Sequence, residues 1–115
     1  MIMAGSLAAA GRLDEAEEFM AAAALAGEVE AMYLLAQIRT DRYGPDHAEA
    51  DLRAAAEAGH PAARHDIGVR LMNRGETAEA ERFYRMAVAS GYTDSLINLG
   101  VLLRKRGDLD GAERC

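Results

Sequence analysis

The chain has 115 residues, enough for one domain with a continuous core and too few for two. Half of them are apolar, yet six are aromatic and twenty-five are alanine. That is the composition of close-packed helices, because alanine is the best helix former and strands favour β-branched and aromatic residues. Nineteen acids against thirteen Lys and Arg leave a charge of −6 at pH 7, a poor balance for following nucleic-acid phosphates.

The charge is uneven. Residues 1–60 carry eleven acids against four bases, and residues 61–115 carry eight against nine. A single cysteine excludes an internal disulfide and suits a reducing compartment. The opening MIMAGSLAAAGRLDEAEE has no basic n-region, so no signal peptide is expected. No apolar run approaches the roughly 18 residues of a membrane helix. These features predict a cytoplasmic protein with no membrane association. Twelve Arg against one Lys, with abundant Ala and Gly, point to a GC-rich bacterial coding sequence.

Gly11, Gly27, Gly44, Gly59, Gly75, Gly91 and Gly107 punctuate the chain every 15 to 17 residues. Glycine readily takes the left-handed conformation that ends a helix. The spacing therefore predicts helices of about 13 or 14 residues, each roughly 20 Å long. In chain order they fall near 2–10, 13–26, 29–42, 46–58, 61–74, 76–90, 93–106 and 109–115. Pro61, just after Gly59-His60, suits a first helical position. The regular breaks exclude a coiled coil, which needs uninterrupted heptads.

Alternate helices match at a period of 32 residues: Ala16, Ala48, Ala80 and Ala112 align, as do Glu17, Glu49, Glu81 and Glu113. Leu35, Ile67 and Leu99 align too, followed by the small residues Ala36, Gly68 and Gly100. The expected fold is all-α, a solenoid of antiparallel helix hairpins forming a single domain over 1–115. It divides into a partial repeat 1–26, full units near 27–58 and 59–90, and a partial unit 91–115. Within helix 76–90, Ala80, Phe83, Tyr84 and Ala87 form an i, i+3, i+4, i+7 stripe. Its counterparts are Ala16, Phe19, Met20 and Ala23, then Ala48, Asp51, Leu52 and Ala55. Isolated helices of this length are marginal in water, so each must bury its stripe on its neighbours.

The segment Tyr84 to Leu103 resembles the join between Sel-one-like repeats, through Ala87, Val88, Gly91, Ser95, Leu99 and Gly100. The turn inside each hairpin resembles the shorter tetratricopeptide repeat, with thirteen residues from Leu99 to Ala112. Both resemblances imply a right-handed solenoid whose concave surface binds other proteins or peptides. They also imply that the first helix of each hairpin lines that groove. The groove positions become Tyr33, Leu34, Gln37, Thr40 and Asp41, then His65, Asp66, Val69, Met72 and Asn73, and finally Ile97, Asn98, Val101, Arg104 and Lys105. Of the Lys, Asn and Arg with which chaperone-binding relatives grip a terminal carboxylate, only Asn98 and Lys105 match, which argues against such a clamp.

The middle repeat departs most from its siblings. Asp51 stands where the others have Phe19 and Phe83, Arg64 replaces Met32 and Leu96, and Arg70 replaces Ile38 and Leu102. Arg64, Asp66 and Arg70 could form a polar recognition patch, or be half-exposed stems lying on apolar surface. His47, His60 and His65 have no metal-ligand spacing, and the lone Cys115 has no catalytic partner. The recurring glutamates read as solvated or turn-facing. The acidic run Asp14, Glu15, Glu17, Glu18 suits a helix N-terminus, or could attract a basic partner.

The expectation is therefore a non-enzymatic scaffold or adaptor, without cofactor or metal, that holds a peptide or helix of a partner protein. Tyr33, Gln37, His65, Asp66, Asn98, Val101 and Lys105 are the candidate contacts. The alternative is a sensor or regulatory segment of a larger signalling or transcription-regulating protein. Met3 aligns with Leu35, and Cys115 falls in the Phe83 register, so both ends interrupt a repeat. The last helix should then fray, and exposed apolar ends could stack between molecules.

Overall fold

The computed structural model describes the backbone of residues 2–114 and the side chains of residues 11–107. Six helices run along the described backbone: α1 (Ile2–Leu25), α2 (Val29–Tyr43), α3 (Pro45–Glu57), α4 (Pro61–Asn73), α5 (Thr77–Ala89) and α6 (Asp94–Arg114). No strand occurs among the described residues. The fold is all-α, built of consecutive helix pairs. Two compact units are present, Met1–Ala58 and Gly59–Cys115, divided at the boundary between two repeats. In the first, α2 packs on both α1 and α3; in the second, α5 packs on both α4 and α6.

Interior helices end as the glycine spacing predicts. Gly75 has φ 82°; its N–H bonds Met72 O at 3.0 Å, and the Glu76 N–H bonds Leu71 O at 2.9 Å. This pair of bonds satisfies two carbonyls left free at the end of α4 and turns the chain back. The same pattern follows α1 at Gly27 and α5 at Gly91. Gly44 and Gly59 also have positive φ, and there Pro45 and Pro61 open the next helix.

Gly11 and Gly107 do not turn the chain: α1 and α6 run straight through them. The sequence predicts a break at each, separating 2–10 from 13–26 and 93–106 from 109–115. Glycine permits a stop without enforcing one, and within a helix it costs only about 1 kcal/mol relative to alanine. No proline follows Gly11 or Gly107 to block continuation. The reversals at Gly27, Gly44, Gly75 and Gly91 are held because the two helices each joins pack on one another. Cys115 and the expected fraying of the last turn lie outside the described side chains.

The predicted stripe is the core. Ala80, Phe83, Tyr84 and Ala87 are the buried residues of α5, and Ala48, Leu52 and Ala55 are buried at matching positions of α3. Phe83, Ile67, Leu71 and Leu102 are among the largest fully buried side chains, each contributing about 1.5–3 kcal/mol. Ala48 and Ala80 are wholly covered, as expected where small residues let backbones approach. Asp51, in the phenylalanine register, is half-buried and accepts from Arg39 Nη1 at 2.9 Å. Arg39 Nε also lies 3.6 Å from Glu17.

Glu17 and Glu81 are ion-paired between helices. Arg42 Nη1 donates to Glu17 at 3.3 Å, and Arg106 donates to Glu81, each arginine lying 25 residues beyond its glutamate. Both glutamates are half-buried. Each clips a second helix of one hairpin to the first helix of the next. The signal was present in the sequence, since Arg42, Arg74 and Arg106 repeat at 32 residues like the glutamates.

Candidate functional site

A cleft of about 200 Å³ opens between α4 and α6, lined by Val69, Met72, Asn73, Tyr84, Asn98 and Val101. Its floor is the α5 residue Tyr84, whose ring lies against Gly68 of α4. A side chain at Gly68 would occupy the space the ring fills, so the small residue admits the aromatic one. The Tyr84 phenol is hydrogen-bonded to the Asn98 side chain of α6. Burial pushes the phenol above its ordinary value of 10.0, while the bond from Asn98 acts in the opposite sense. Apolar Val69, Met72 and Val101 thus surround a floor of phenol and amide groups.

His65, one turn before Val69 on α4, closes one end of this arrangement. Its ring tilts against Tyr84 at 5.8 Å and against Tyr92 at 5.1 Å between centroids. Its Nδ1 lies 2.7 Å from Ser95 Oγ. Ser95 is fully buried, so its hydroxyl holds the histidine ring and is not presented to a substrate. Burial raises the Tyr92 phenol above its ordinary range, and the carboxylates of Asp94 and Asp66 add to the shift.

Of the sequence candidates, His65, Asp66, Asn98 and Val101 therefore gather in one unit around Tyr84 and Tyr92. Lys105 follows Val101 by one turn of α6 and is exposed. Tyr33 and Gln37 occupy one face of α2 in the other unit, half-buried and exposed respectively. Tyr84 itself is absent from the candidate set because its register marks it as core filling. What distinguishes it is the hydroxyl, since its siblings at 32-residue spacing are Met20 and Leu52.

Arg64 is committed elsewhere. Its Nη1 donates to Ser90 Oγ at 2.7 Å and lies 3.3 Å from Met86 O. It therefore sits on the last turn of α5, where a cation complements the negative end of the helix dipole. A second cleft, of about 300 Å³, is lined by Ala21, Ala24, Leu25, Met32, Leu35, Arg39, Asp51 and Ala54. It lies where Asp51 replaces a phenylalanine. Among the described residues no group of three or more His, Cys, Asp and Glu is placed to hold a metal ion, and no helix is long and apolar enough to cross a membrane.

Antiparallel helix pairs in a fixed register, with a cleft between the first helices of successive pairs, define a helical-hairpin repeat protein. Residues 62–91 and 93–115 match the family model of the tetratricopeptide repeat. The first match takes in α4 and α5, and the second takes in α6. The chain is a tetratricopeptide-like repeat protein. Repeats of this kind generally mediate protein–protein interaction. No curated protein and no solved structure shows a significant match.

Proposed function

We propose that this chain is a protein-interaction module whose binding site centres on the α4–α6 cleft. The observation that carries this reading is the lining: Val69, Met72, Asn73, Asn98 and Val101 border one cleft, and all five are positions that the resemblance to tetratricopeptide repeats implies for a groove. An apolar side chain of a partner peptide or helix would lie between Val69, Met72 and Val101. The amides of Asn73 and Asn98 would serve its backbone. His65 and Asp66 would bound one end and Lys105 the other. The single cysteine suits a scaffold or adaptor working in a reducing cytoplasm.

A photo-crosslinking residue at Val101, with a control at exposed Ala50 of α3, tests this in the native cell. A protein trapped at Val101, not at Ala50, and lost in an Asp66→Lys, Lys105→Glu background that keeps its helicity, is the expected result. Equal trapping at both positions, or trapping indifferent to the charge reversals, would remove the site from this cleft.

A further inference from the structure

The outward faces of α1 and α6 are two halves of an interface that the chain already contains between α4 and α5. At 32-residue spacing, Arg64, Gly68 and Leu71 of α4 correspond to Leu96, Gly100 and Leu103 of α6. In α4 this face is covered: Leu71 is 1% exposed, and the Tyr84 ring fills the space over Gly68. In α6 it is bare. Leu96 is 52% and Leu103 41% exposed, and a β-carbon on Gly100 would meet nothing within 4 Å.

α1 carries the other half. Ala16, Phe19, Met20 and Ala23 stand 64 residues before Ala80, Phe83, Tyr84 and Ala87 of α5. Phe83 is fully buried, whereas Phe19 is 67% exposed. The opposite side of α1, with Glu17, is engaged with Arg39 and Arg42 of α2. Along this stripe Ala16, Met20 and Ala23 are half-buried and Phe19 projects into solvent.

We propose that α6 of one copy of this chain docks on α1 of a second copy, reproducing the α4–α5 pairing between molecules. Phe19 and Met20 of the second copy then lie over Leu96, Gly100 and Leu103 of the first. The antiparallel register that sets Gly68 on Tyr84 sets Gly100 opposite Met20. It also brings exposed Arg104 and Lys105 towards the end of α1 bearing exposed Glu15 and Glu18. Opposite charges at that end favour this orientation and speed encounter. The contact is heterologous, so each copy presents one face of each kind.

Sedimentation of the whole chain over rising concentration, with Phe19→Glu and Leu103→Glu variants, tests this directly. The wild type gains mass as concentration rises. Each variant alone stays at monomer mass, its self-association weakened at least about tenfold by a carboxylate forced into an apolar contact. Mixed in equal amounts, the two variants form a one-to-one complex, because the first keeps an intact α6 face and the second an intact α1 face. Helical circular dichroism confirms folding, and Phe19→Ser with Leu103→Ser repeats the experiment without added charge. The proposal fails if the wild type remains monomeric, if either variant associates like wild type, or if the mixture stays monomeric while wild type does not. Since none of these residues lines the α4–α6 cleft, these outcomes are independent of partner crosslinking at Val101.

Discussion

Gly68 lies flat against the ring of Tyr84: a β-carbon added to the glycine would stand 2.6 Å from Cε1 and 2.7 Å from Cδ1. The same register in the preceding hairpin pairs Ala36 with Leu52, both buried. Gly68→Ala should therefore destabilise the protein by about 1–3 kcal/mol through overpacking, although alanine is the better helix former. Combining it with Tyr84→Leu recreates the Ala36–Leu52 pairing, and urea unfolding should show the double variant losing less than the sum of its parts. Gly100→Ala meets nothing and should gain up to about 1 kcal/mol.

Glu81 sits between Arg85, with Nε 3.1 Å away, and Arg106. The hydrogen bond from Arg85, then the charge of Arg106, hold its carboxyl below the ordinary glutamate value of 4.5. A depressed carboxylate stabilises the fold above the unfolded-state value, and that contribution is lost as pH falls through the folded one. Glu81→Gln should thus cost no more than about 1 kcal/mol at neutral pH, since solvent screens the half-exposed arginines. In acid the two proteins should converge, which chemical denaturation at a series of pH values will show.

Tyr84 offers the opposite sign. Burial favours the neutral phenol and raises its ionisation above 10.0. The associated stability is therefore present below the ordinary tyrosine value and is lost as pH rises through the folded one. Ultraviolet absorbance should find two tyrosines, Tyr84 and Tyr92, titrating late in the folded protein. Asn98→Leu removes the hydrogen bond that favours the Tyr84 phenolate, so Tyr84 should titrate later still.

His60 caps α4, its Nδ1 accepting from the Ala63 N–H at 3.2 Å. His60→Ala should cost about 0.5–2 kcal/mol by leaving that donor without its acceptor, whereas His60→Asn, which can accept the same bond, should cost far less. Thermal unfolding of the two variants distinguishes loss of the cap from loss of side-chain packing.

Of the seven candidate contacts, Asn98 and Val101 line the α4–α6 cleft, beside Val69, Met72 and Asn73, which the family resemblance also implies for a groove. The floor was not legible, because a tyrosine in a buried stripe reads as packing. Only the packing of α5 on α6 decides whether its hydroxyl meets the Asn98 amide. Glu17 and Glu81 were misread for a related reason: their partners lie on another helix, 25 residues away, beyond any pattern within a single helix.

The sequence by itself determined the all-α class, the 32-residue unit and the buried stripe Ala80, Phe83, Tyr84 and Ala87. These follow from helix periodicity and glycine punctuation, which are local properties of the chain. The tertiary structure alone decided which glycines turn it. Gly75 and Gly91 reverse the chain between packed helices, while Gly11 and Gly107 continue a helix. A glycine only lowers the cost of reversal, and burial of one helix face on another makes the reversal favourable. Phe19 and Leu103 are exposed although their counterparts Phe83 and Leu71, at the same register, are buried, because burial depends on the neighbouring helix and not on the register.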